Sequence, residues 1–409
     1  MNNQISKKIL IAERAYKNKD YLTSYSLYKK IYRESQLHQI IARLVDIAFI
    51  TLKQTNTKLE IINNLIDIGL KKNTEVKNST ELFYLKLKLL REFKKFSLFN
   101  ELYNSLKSEQ KKFIFINFEY LHYLLETEKY SEAENVLSEI QSLNISFYKI
   151  ADNFFLDRKF FDQIMKSKLD IKHDIIFHKE EINTDFDYVV TVVGNPEIFE
   201  NEILSFIKSL KKTSSKFLLS LLIHDANNNE IKYINEIIDN IKLENLSIFF
   251  ENSQNLDLDK NETKAYYTTR RYILANDMIE KFSKTTFVFD ADYIINKDLN
   301  HYVKLNQNVD ISLCIKKSFR YLHLTISAGQ SMFNNTKKTK IFLNFYKKYI
   351  FYILNYKKVS WHIDQIVLHV AFIITKRYFN ARIIDNLNQN NFKNKECFFY
   401  HTFHGKYEL

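Results

Sequence analysis

The spacing of hydrophobic residues changes near residue 185 and divides the chain into two parts. From about residue 5 to residue 143, apolar positions recur at helical spacing, with helix-forming residues between them and no proline. This pattern predicts a run of antiparallel helices. We therefore expect an all-α domain over residues 1–180 and a domain of another class over residues 181–409.

A short motif recurs within the helical part. Tyr21, Phe96 and Tyr130 are each followed by small or apolar residues at helical spacing, and a weaker copy lies near Leu59. The pattern resembles the second helix of tetratricopeptide repeats, without the glycine and proline of that signature. An irregular helical bundle is the alternative. Either arrangement offers a face for a protein partner and contains no catalytic cluster of Asp, Glu and His.

Beyond residue 185, short β-branched and apolar runs alternate with helical segments. The predicted strands are 187–193, 217–223, 246–250 and 285–289, and the predicted helices are 197–210, 230–241 and 269–282. Strands that alternate with helices of this length form right-handed βαβ units and a mainly parallel sheet. This part is therefore predicted to be a Rossmann-like α/β domain that binds its ligand beyond the carboxyl ends of its strands.

Composition narrows the classes of partner. The chain has 60 Lys and Arg against 48 Asp and Glu, a net charge of +12 that is spread among Asn, Ile and Tyr rather than gathered in a tail. We therefore expect no nucleic acid partner, while anionic small molecules and lipid headgroups stay open. Two cysteines cannot build a disulfide framework, and no apolar run approaches the ~18 residues that span a bilayer. These features predict a cytoplasmic protein.

Glycine and proline are rare, with four Gly and one Pro in the whole chain. Gly194, Gly329, Gly405 and Pro196 all lie beyond residue 190, so we expect sharp turns or close backbone approaches at these positions. So few glycines leave no phosphate-binding glycine-rich loop. This disfavours nucleoside triphosphatases and dinucleotide oxidoreductases.

Two aspartates directly follow the last of the predicted strands. Asp290 and Asp292 come after the apolar run 285–289. Carboxylates two residues apart in such a turn can both reach one hard divalent cation, which diphosphate oxygens can bridge. Burial of both charges without a cation would be costly, so we expect a site for Mn²⁺ or Mg²⁺, or else a solvated turn.

The Asp-x-Asp strand and the preceding segment 266–272, with Arg270 and Arg271, resemble the core of glycosyltransferases with the GT-A fold. The layout is most similar to the retaining group that contains glycogenin and the bacterial lipooligosaccharide galactosyltransferases. The resemblance implies that Asp290 and Asp292 bind the metal and that Asp290 also contacts the donor. It implies that Arg271 holds the donor sugar and the metal carboxylates, with Arg270 as the alternative.

Two further segments extend the resemblance. Gly329 matches a glycine in the strand that passes under the donor, with a simple tight turn as the alternative. Asp364 and Gln365 match a helix start that faces the transferred sugar and the acceptor, which implies catalytic roles for both. Trp361, the only tryptophan, precedes them and is suited to stacking on a sugar. Alternatively, Asp364 only caps its helix.

The match to the family is less regular at the two ends of the similar region. Near the C-terminus, His401 and His404 compete for the role of metal ligand, and Lys406 matches a lysine that meets the diphosphate. Gly194 and Asn195 occupy the turn where the family commonly has an aspartate for the nucleotide base. The resemblance still implies that this turn binds the donor, with the identity of the nucleotide open.

These matches predict a metal-dependent glycosyltransferase. It would move a sugar from a nucleotide-diphosphate donor, with a UDP-sugar as the first candidate, to a glycan, a lipid-linked acceptor or a protein. Its helical domain would hold the acceptor or a protein partner. The alternative is a helical-repeat adaptor without catalysis that binds a polyanion or a protein.

The composition of one further predicted helix bears on the cellular location of the protein. Residues 345–358 carry two Lys-Lys pairs around an aromatic and aliphatic run, which suits a peripheral helix at the inner membrane face. Alternatively, the same helix packs on the sheet and buries Tyr349 and Ile350.

Overall fold

The computed structural model describes residues 3–35, 40–51, 56–72, 76–142, 154–169, 174–214, 216–253, 259–316, 324–356, 362–386 and 397–401. These residues form two compact units, Met1–Ser142 and Leu143–Leu409.

The described part of the first unit is helical. Its helices are α1 (Asn3–Lys17), α2 (Tyr21–Ser35), α3 (Ile41–Thr51), α4 (Asn56–Lys72), α5 (Val76–Glu92), α6 (Phe96–Ser105), α7 (Ser108–Lys111), α8 (Ile114–Glu126) and α9 (Tyr130–Ser142). Consecutive helices from α1 to α6 contact one another, as do α8 and α9. The predicted all-α class is confirmed, and the similarity to tetratricopeptide repeats stays a prediction.

The three aromatic motifs of the first unit follow the same type of turn. Lys19, Lys94 and Glu128 each lie two residues before a motif aromatic and have left-handed backbones, with φ of 61°, 54° and 61°. In each turn the next N–H donates to the carbonyl five residues earlier: Asp20 to Ala15, Lys95 to Leu90 and Lys129 to Leu124. This geometry closes the carboxyl end of a helix, usually with glycine at the left-handed position. The sequence motif therefore marks a repeated helix–turn–helix geometry.

Replacing Lys19, Lys94 or Glu128 by glycine should raise the free energy of unfolding by roughly 0.5–1 kcal/mol at each position. Glycine adopts the left-handed conformation without the steric cost of a Cβ atom. Urea denaturation followed by far-UV circular dichroism measures the effect. Lys112→Gly is the matched control, because Lys112 has a φ of −70° and glycine there should only destabilise. A gain at Lys112 equal to the others would contradict the explanation.

The second unit combines helices with strands. Its described helices are α10 (Arg158–Lys166), α11 (Pro196–Ile198), α12 (Leu204–Thr213), α13 (Asn228–Ile241), α14 (Lys260–Phe282), α15 (Leu299–Leu305), α16 (Lys337–Tyr356) and α17 (Ile363–Phe379), with a π-helix over Phe199–Ile203. Its described strands are β1 (Asp174–Ile182), β2 (Tyr188–Gly194), β3 (Phe217–His224), β4 (Asn245–Asn252), β5 (Thr285–Phe289), β6 (Tyr293–Ile295), β7 (Ile311–Ile315), β8 (Ile326–Phe333), β9 (Ile383–Asp385) and β10 (Phe399–His401). The four predicted strands correspond to β2, β3, β4 and β5.

Eight of the described strands form one mixed sheet in the order β1-β4-β3-β2-β5-β8-β7-β9, and β10 pairs with β6 separately. The neighbours β4, β3, β2 and β5 are parallel, as the alternation of strands and helices predicts, whereas β1 and β8 pair antiparallel. The chain leaves β2 toward β3 on one side and later returns to β5 on the other. A ligand site is therefore expected where the carboxyl ends of β2 and β5 meet.

Both faces of the central strands are covered. Val190 and Leu221 belong to the larger hydrophobic core, and Val189 and Leu222 pack on the opposite face with Leu274 of α14. Strands buried on both faces have near-continuous apolar sequences, which explains why β2 and β3 are apparent in the sequence.

The compact units divide between Ser142 and Leu143 rather than between residues 180 and 181. β1 pairs with β4 along its length, from Asp174 opposite Asn252 to Ile182 opposite Asn245, and α10 contacts α16. Most side chains of β1 are exposed, so the strand lacks the apolar run that identifies the central strands. The boundary was expected too late because this edge strand has no strong sequence signal.

The helix proposed to touch a membrane corresponds to α16, and the structure corrects that expectation. Tyr349 and Ile350 are 0% and 1% exposed, and α16 contacts α10, α14 and α17. Lys347 forms an ion pair within the unit, and Lys348 donates to two backbone carbonyls there. The other two lysines of the segment lie outside the described residues. Among the described helices, none is both long enough and apolar enough to cross a bilayer.

Candidate active site

A cleft of about 380 Å³ lies at the carboxyl ends of β2 and β5. Its walls come from segments that are far apart in the sequence: the end of β2, the π-helix, α14, the turn after β5, the start of α17 and β10. Eight of the residues predicted from sequence line it: Gly194, Asn195, Arg271, Asp290, Asp292, Asp364, Gln365 and His401. Trp361, His404 and Lys406 lie outside the described residues, so their roles stay predictions.

The turn after β2 begins a helix. The Asn195 side chain accepts a hydrogen bond of 2.8 Å from the Ile198 amide, and Pro196 occupies the first helical position. This is a standard N-terminal cap, and it explains the Gly-Asn-Pro sequence. A Cβ atom on Gly194 would lie 2.8 Å from Ile203 and 3.0 Å from Ile198, so glycine lets the π-helix pack against the strand end.

Arg271 is the arginine that lines the cleft. Its guanidinium forms an ion pair with Asp290 and donates from Nη2 to Asp364 at 2.8 Å. Arg270 instead forms a buried ion pair with Glu251, at 2.5 Å between Nη2 and Oε2. Adjacent helical residues point in directions about 100° apart, so only one of the two arginines can line the cleft.

Asp364 lies in the first turn of α17 and is 4% exposed. One of its carboxylate oxygens accepts from the Gln365 amide at 2.9 Å, and the other accepts from Arg271. The Asp364 carboxylate therefore contacts both the start of its own helix and the cleft arginine, and its catalytic role stays a prediction. The ion pair with Arg271 binds α17 to α14 at the cleft wall.

His401 reaches the cleft through the small β10–β6 sheet. It lies opposite Tyr293 in that pairing, and its Nε2 is 2.8 Å from Oδ2 of Asp292. The His401 ring also packs edge-on against Tyr293, with ring centroids 5.2 Å apart. The last described strand thus brings an imidazole next to the second carboxylate of the Asp-x-Asp turn.

Gly329 lies beneath the first carboxylate of that turn. Its carbonyl accepts from the Asp290 amide at 2.7 Å, and a Cβ atom on it would lie 2.9 Å from Oδ2 of Asp290 and 3.1 Å from the Tyr293 hydroxyl. The close approach expected at this glycine is therefore an approach to Asp290. Contact with a sugar stays a prediction.

Seven lining residues were not predicted as site residues from the sequence: Val193, Ile198, Glu202, Tyr267, Thr268, Ala291 and His362. Tyr267 precedes Arg271 by four residues on α14, so helical spacing could have identified it. Glu202 lies in the π-helix, whose wider turn shifts side chains away from α-helical spacing. His362 has a left-handed backbone, and burial lowers its pKa while Asp364 acts in the opposite direction.

The charge of the cleft favours a cation. Among the described residues, its lining carries four carboxylates, Glu202, Asp290, Asp292 and Asp364, and one guanidinium, that of Arg271. No group of three or more His, Cys, Asp and Glu has the arrangement of metal ligands within the described parts of the chain. Asp290, Asp292 and His401 nevertheless offer carboxylate oxygens and an imidazole nitrogen, which are donors that Mn²⁺ accepts.

Gly329→Ala should disturb Asp290 and reduce the stability of the protein by roughly 1–3 kcal/mol, because the added methyl group has no space. Thermal unfolding of the single and double variants tests this. In an Asp290→Ala background the same substitution should cost less, because one of the two close neighbours is gone. Equal costs in both backgrounds would show that Asp290 is not what excludes a side chain at this position.

Comparison with known proteins provides weak similarities. No protein-family model matches the chain. It is 24% identical over 280 residues to the MATH and LRR domain-containing protein PFE0570w of Plasmodium falciparum (isolate 3D7). That alignment covers 67% of this chain and 2% of that protein, so the chain spans only a small part of its relative.

Several solved structures are similar to about half of the chain. Mouse xyloside xylosyltransferase 1 has a TM-score of 0.35 and 10% identity, over 54% of this chain and 98% of that one. The glycosyltransferase GlyE of Streptococcus pneumoniae TIGR4 has a TM-score of 0.33 and 15% identity, over 50% of this chain and 46% of that one. The galactosyltransferase LgtC has a TM-score of 0.33 and 12% identity, over 45% of this chain and 70% of that one. Scores and identities this low show nothing about the function of this chain.

Proposed function

We propose that the second unit is a glycosyltransferase of the GT-A type that moves a sugar from a nucleotide-diphosphate donor, with a UDP-sugar as the first candidate, to a glycan, a lipid-linked acceptor or a protein. One observation carries the proposal. The residues that resemble the family's donor, metal and catalytic positions come from distant parts of the sequence and line a single cleft. That cleft lies at the switch point of the sheet, where such folds bind nucleotides.

The two ion pairs of Arg271 in the cleft suit recognition of a sugar. Arg271 holds Asp290 and Asp364 in place from one side, so both carboxylates are fixed acceptors for sugar hydroxyl groups. Gln365 lies next to Asp364 and offers both a donor and an acceptor. Together these side chains would orient the transferred sugar against the acceptor.

We propose that Asp290, Asp292 and His401 hold Mn²⁺ or Mg²⁺, with His404 as the alternative histidine. When bound, the cation would stabilise the charge that develops on the leaving diphosphate. The excess of carboxylates in the cleft supports this assignment, and so does the 2.8 Å separation of Asp292 and His401. Lys406 is proposed to contact the diphosphate as well.

Thermal unfolding with nucleotides tests the proposed function. The full chain is heated with UDP, GDP, ADP or CDP, each with and without Mn²⁺, and release of UDP from UDP-glucose and UDP-galactose is then measured. One nucleoside diphosphate should raise the melting temperature only when Mn²⁺ is present, because each ligand completes the site of the other. If no nucleotide shifts the melting temperature under either condition, the non-catalytic adaptor becomes the better interpretation.

The helical unit is proposed to bind the acceptor or a protein partner through its repeated helix–turn–helix elements. Stacked helical hairpins form extended surfaces that suit this task. The unit is expected to contribute to acceptor affinity and to leave the affinity for the donor nucleotide unchanged.

A further inference from the structure

Tyr267 borders the cleft, and three neighbours hold its ring in place. The ring stacks on the imidazole of His224, with centroids 4.1 Å apart and planes inclined by 14°. Its hydroxyl donates to Asp225 and lies 3.0 Å from Oγ of Ser253. Tyr267 is half-buried, and one face of its ring and its hydroxyl both have partners. The ring is therefore a rigid aromatic wall of the cleft.

Asp225 joins the ends of two strands at this wall. Its carboxylate accepts from the Ser253 amide at 2.7 Å, and its own amide donates to the Glu251 carbonyl at 2.8 Å. These bonds connect the residue after β3 to the end of β4. The Asp225 backbone is left-handed, with a φ of 54°. The carboxylate therefore aligns the Tyr267 hydroxyl with a fixed part of the sheet.

The Tyr267 hydroxyl contacts Asp225 at the end of β3, and the topology places that end away from the Asp-x-Asp turn. β2 lies between β5 and β3 in the sheet. Neighbouring strands are about 4.8 Å apart, so the end of β3 lies about 10 Å along the sheet edge from the end of β5. A donor with its diphosphate at Asp290 and Asp292 would extend its nucleoside over Gly194 toward Tyr267.

We propose that Tyr267 is the surface on which the base of the donor nucleotide stacks, with Asp225 and Ser253 as positioning residues for its ring. The inference rests on the proposed function and names the nucleoside end of the same cleft. His224 covers one face of the ring, so the other face is the one that can meet a ligand. Every nucleobase has a π-face, so this contact needs no carboxylate in the turn after β2, where the chain has Asn195.

Calorimetric titration with two probes separates the base from the phosphates. The probes are inorganic pyrophosphate and the nucleoside diphosphate that the unaltered protein binds best among UDP, GDP, ADP and CDP, all with Mn²⁺. Tyr267→Ala should weaken nucleotide binding roughly tenfold to 100-fold. Its affinity for pyrophosphate should stay within about twofold of the unaltered protein. Tyr267→Phe keeps the ring and should lose much less.

Further variants complete the test. Asp225→Asn should weaken the nucleotide alone by an intermediate factor, a selectivity that a purely structural role would not produce. Tyr233→Ala, at a tyrosine of α13 that is 48% exposed, is the matched control and should change neither affinity. Tyr267→Leu keeps apolar volume without an aromatic face and replaces the alanine variant if that variant does not fold.

The outcomes distinguish the inference from the proposed function. If the unaltered protein binds neither probe, the proposed function fails. If it binds the nucleotide and Tyr267→Ala or Tyr267→Leu binds it equally well, the stacking role is wrong. If the variant loses nucleotide and pyrophosphate equally, Tyr267 supports the whole cleft and not the base.

Discussion

Asp290→Asn should reduce sugar transfer by roughly 10²–10³-fold while the protein stays folded. The substitution removes a charged oxygen from the proposed metal site but keeps an amide oxygen that can accept from Arg271. Asp292→Asn should have an effect of similar size, because it also weakens the contact with His401. Release of nucleotide from the donor sugar measures activity, and circular dichroism with thermal unfolding measures the fold.

Asp239→Asn is the matched control for both substitutions. Asp239 forms an ion pair with Lys179 outside the cleft, and its side chain is 56% exposed. The same chemical change should leave transfer unaltered there. Near-normal turnover in either cleft variant would remove the metal role from that aspartate, and a loss of activity in the Asp239 variant would show that the assay responds to general destabilisation.

Arg271→Leu should lower the free energy of unfolding by about 3–5 kcal/mol, because it leaves the buried Asp364 carboxylate without its cation. The side chains of Arg271 and Asp364 are 9% and 5% exposed, so little water reaches the carboxylate to replace the lost partner. The double variant Arg271→Leu/Asp364→Asn should recover most of this stability, because no buried charge is left at that position. Urea denaturation of the two single variants and the double variant completes the cycle.

Lys340→Ala is the control for the loss of an ion pair at the surface. Lys340 and Glu280 are 3.4 Å apart, with side chains 32% and 51% exposed, and such pairs contribute about 0–1 kcal/mol. If Arg271→Leu destabilises the protein no more than Lys340→Ala does, the cleft arginine is not a structural counterion. If the double variant is no more stable than Arg271→Leu, the loss does not come from Asp364.

The sequence alone determined the elements whose signals are local. The change of hydrophobic period near residue 185 separates helices from the α/β region, and the apolar runs of β2, β3, β4 and β5 correspond to the central parallel strands. Two aspartates after β5 and an aspartate in the first turn of α17 were also apparent, because strand ends and helix starts have recognisable patterns. Each of these signals lies within a few adjacent residues.

How the separate signals combine is visible only in the folded structure. It selected Arg271 over Arg270, brought His401 to Asp292 through a three-residue strand and assigned the exposed strand β1 to the second unit. Short strands and edge strands bury too little apolar surface to leave a pattern in the sequence. Contacts between distant segments depend on how whole elements pack, so the geometry of the cleft could not be obtained from local spacing.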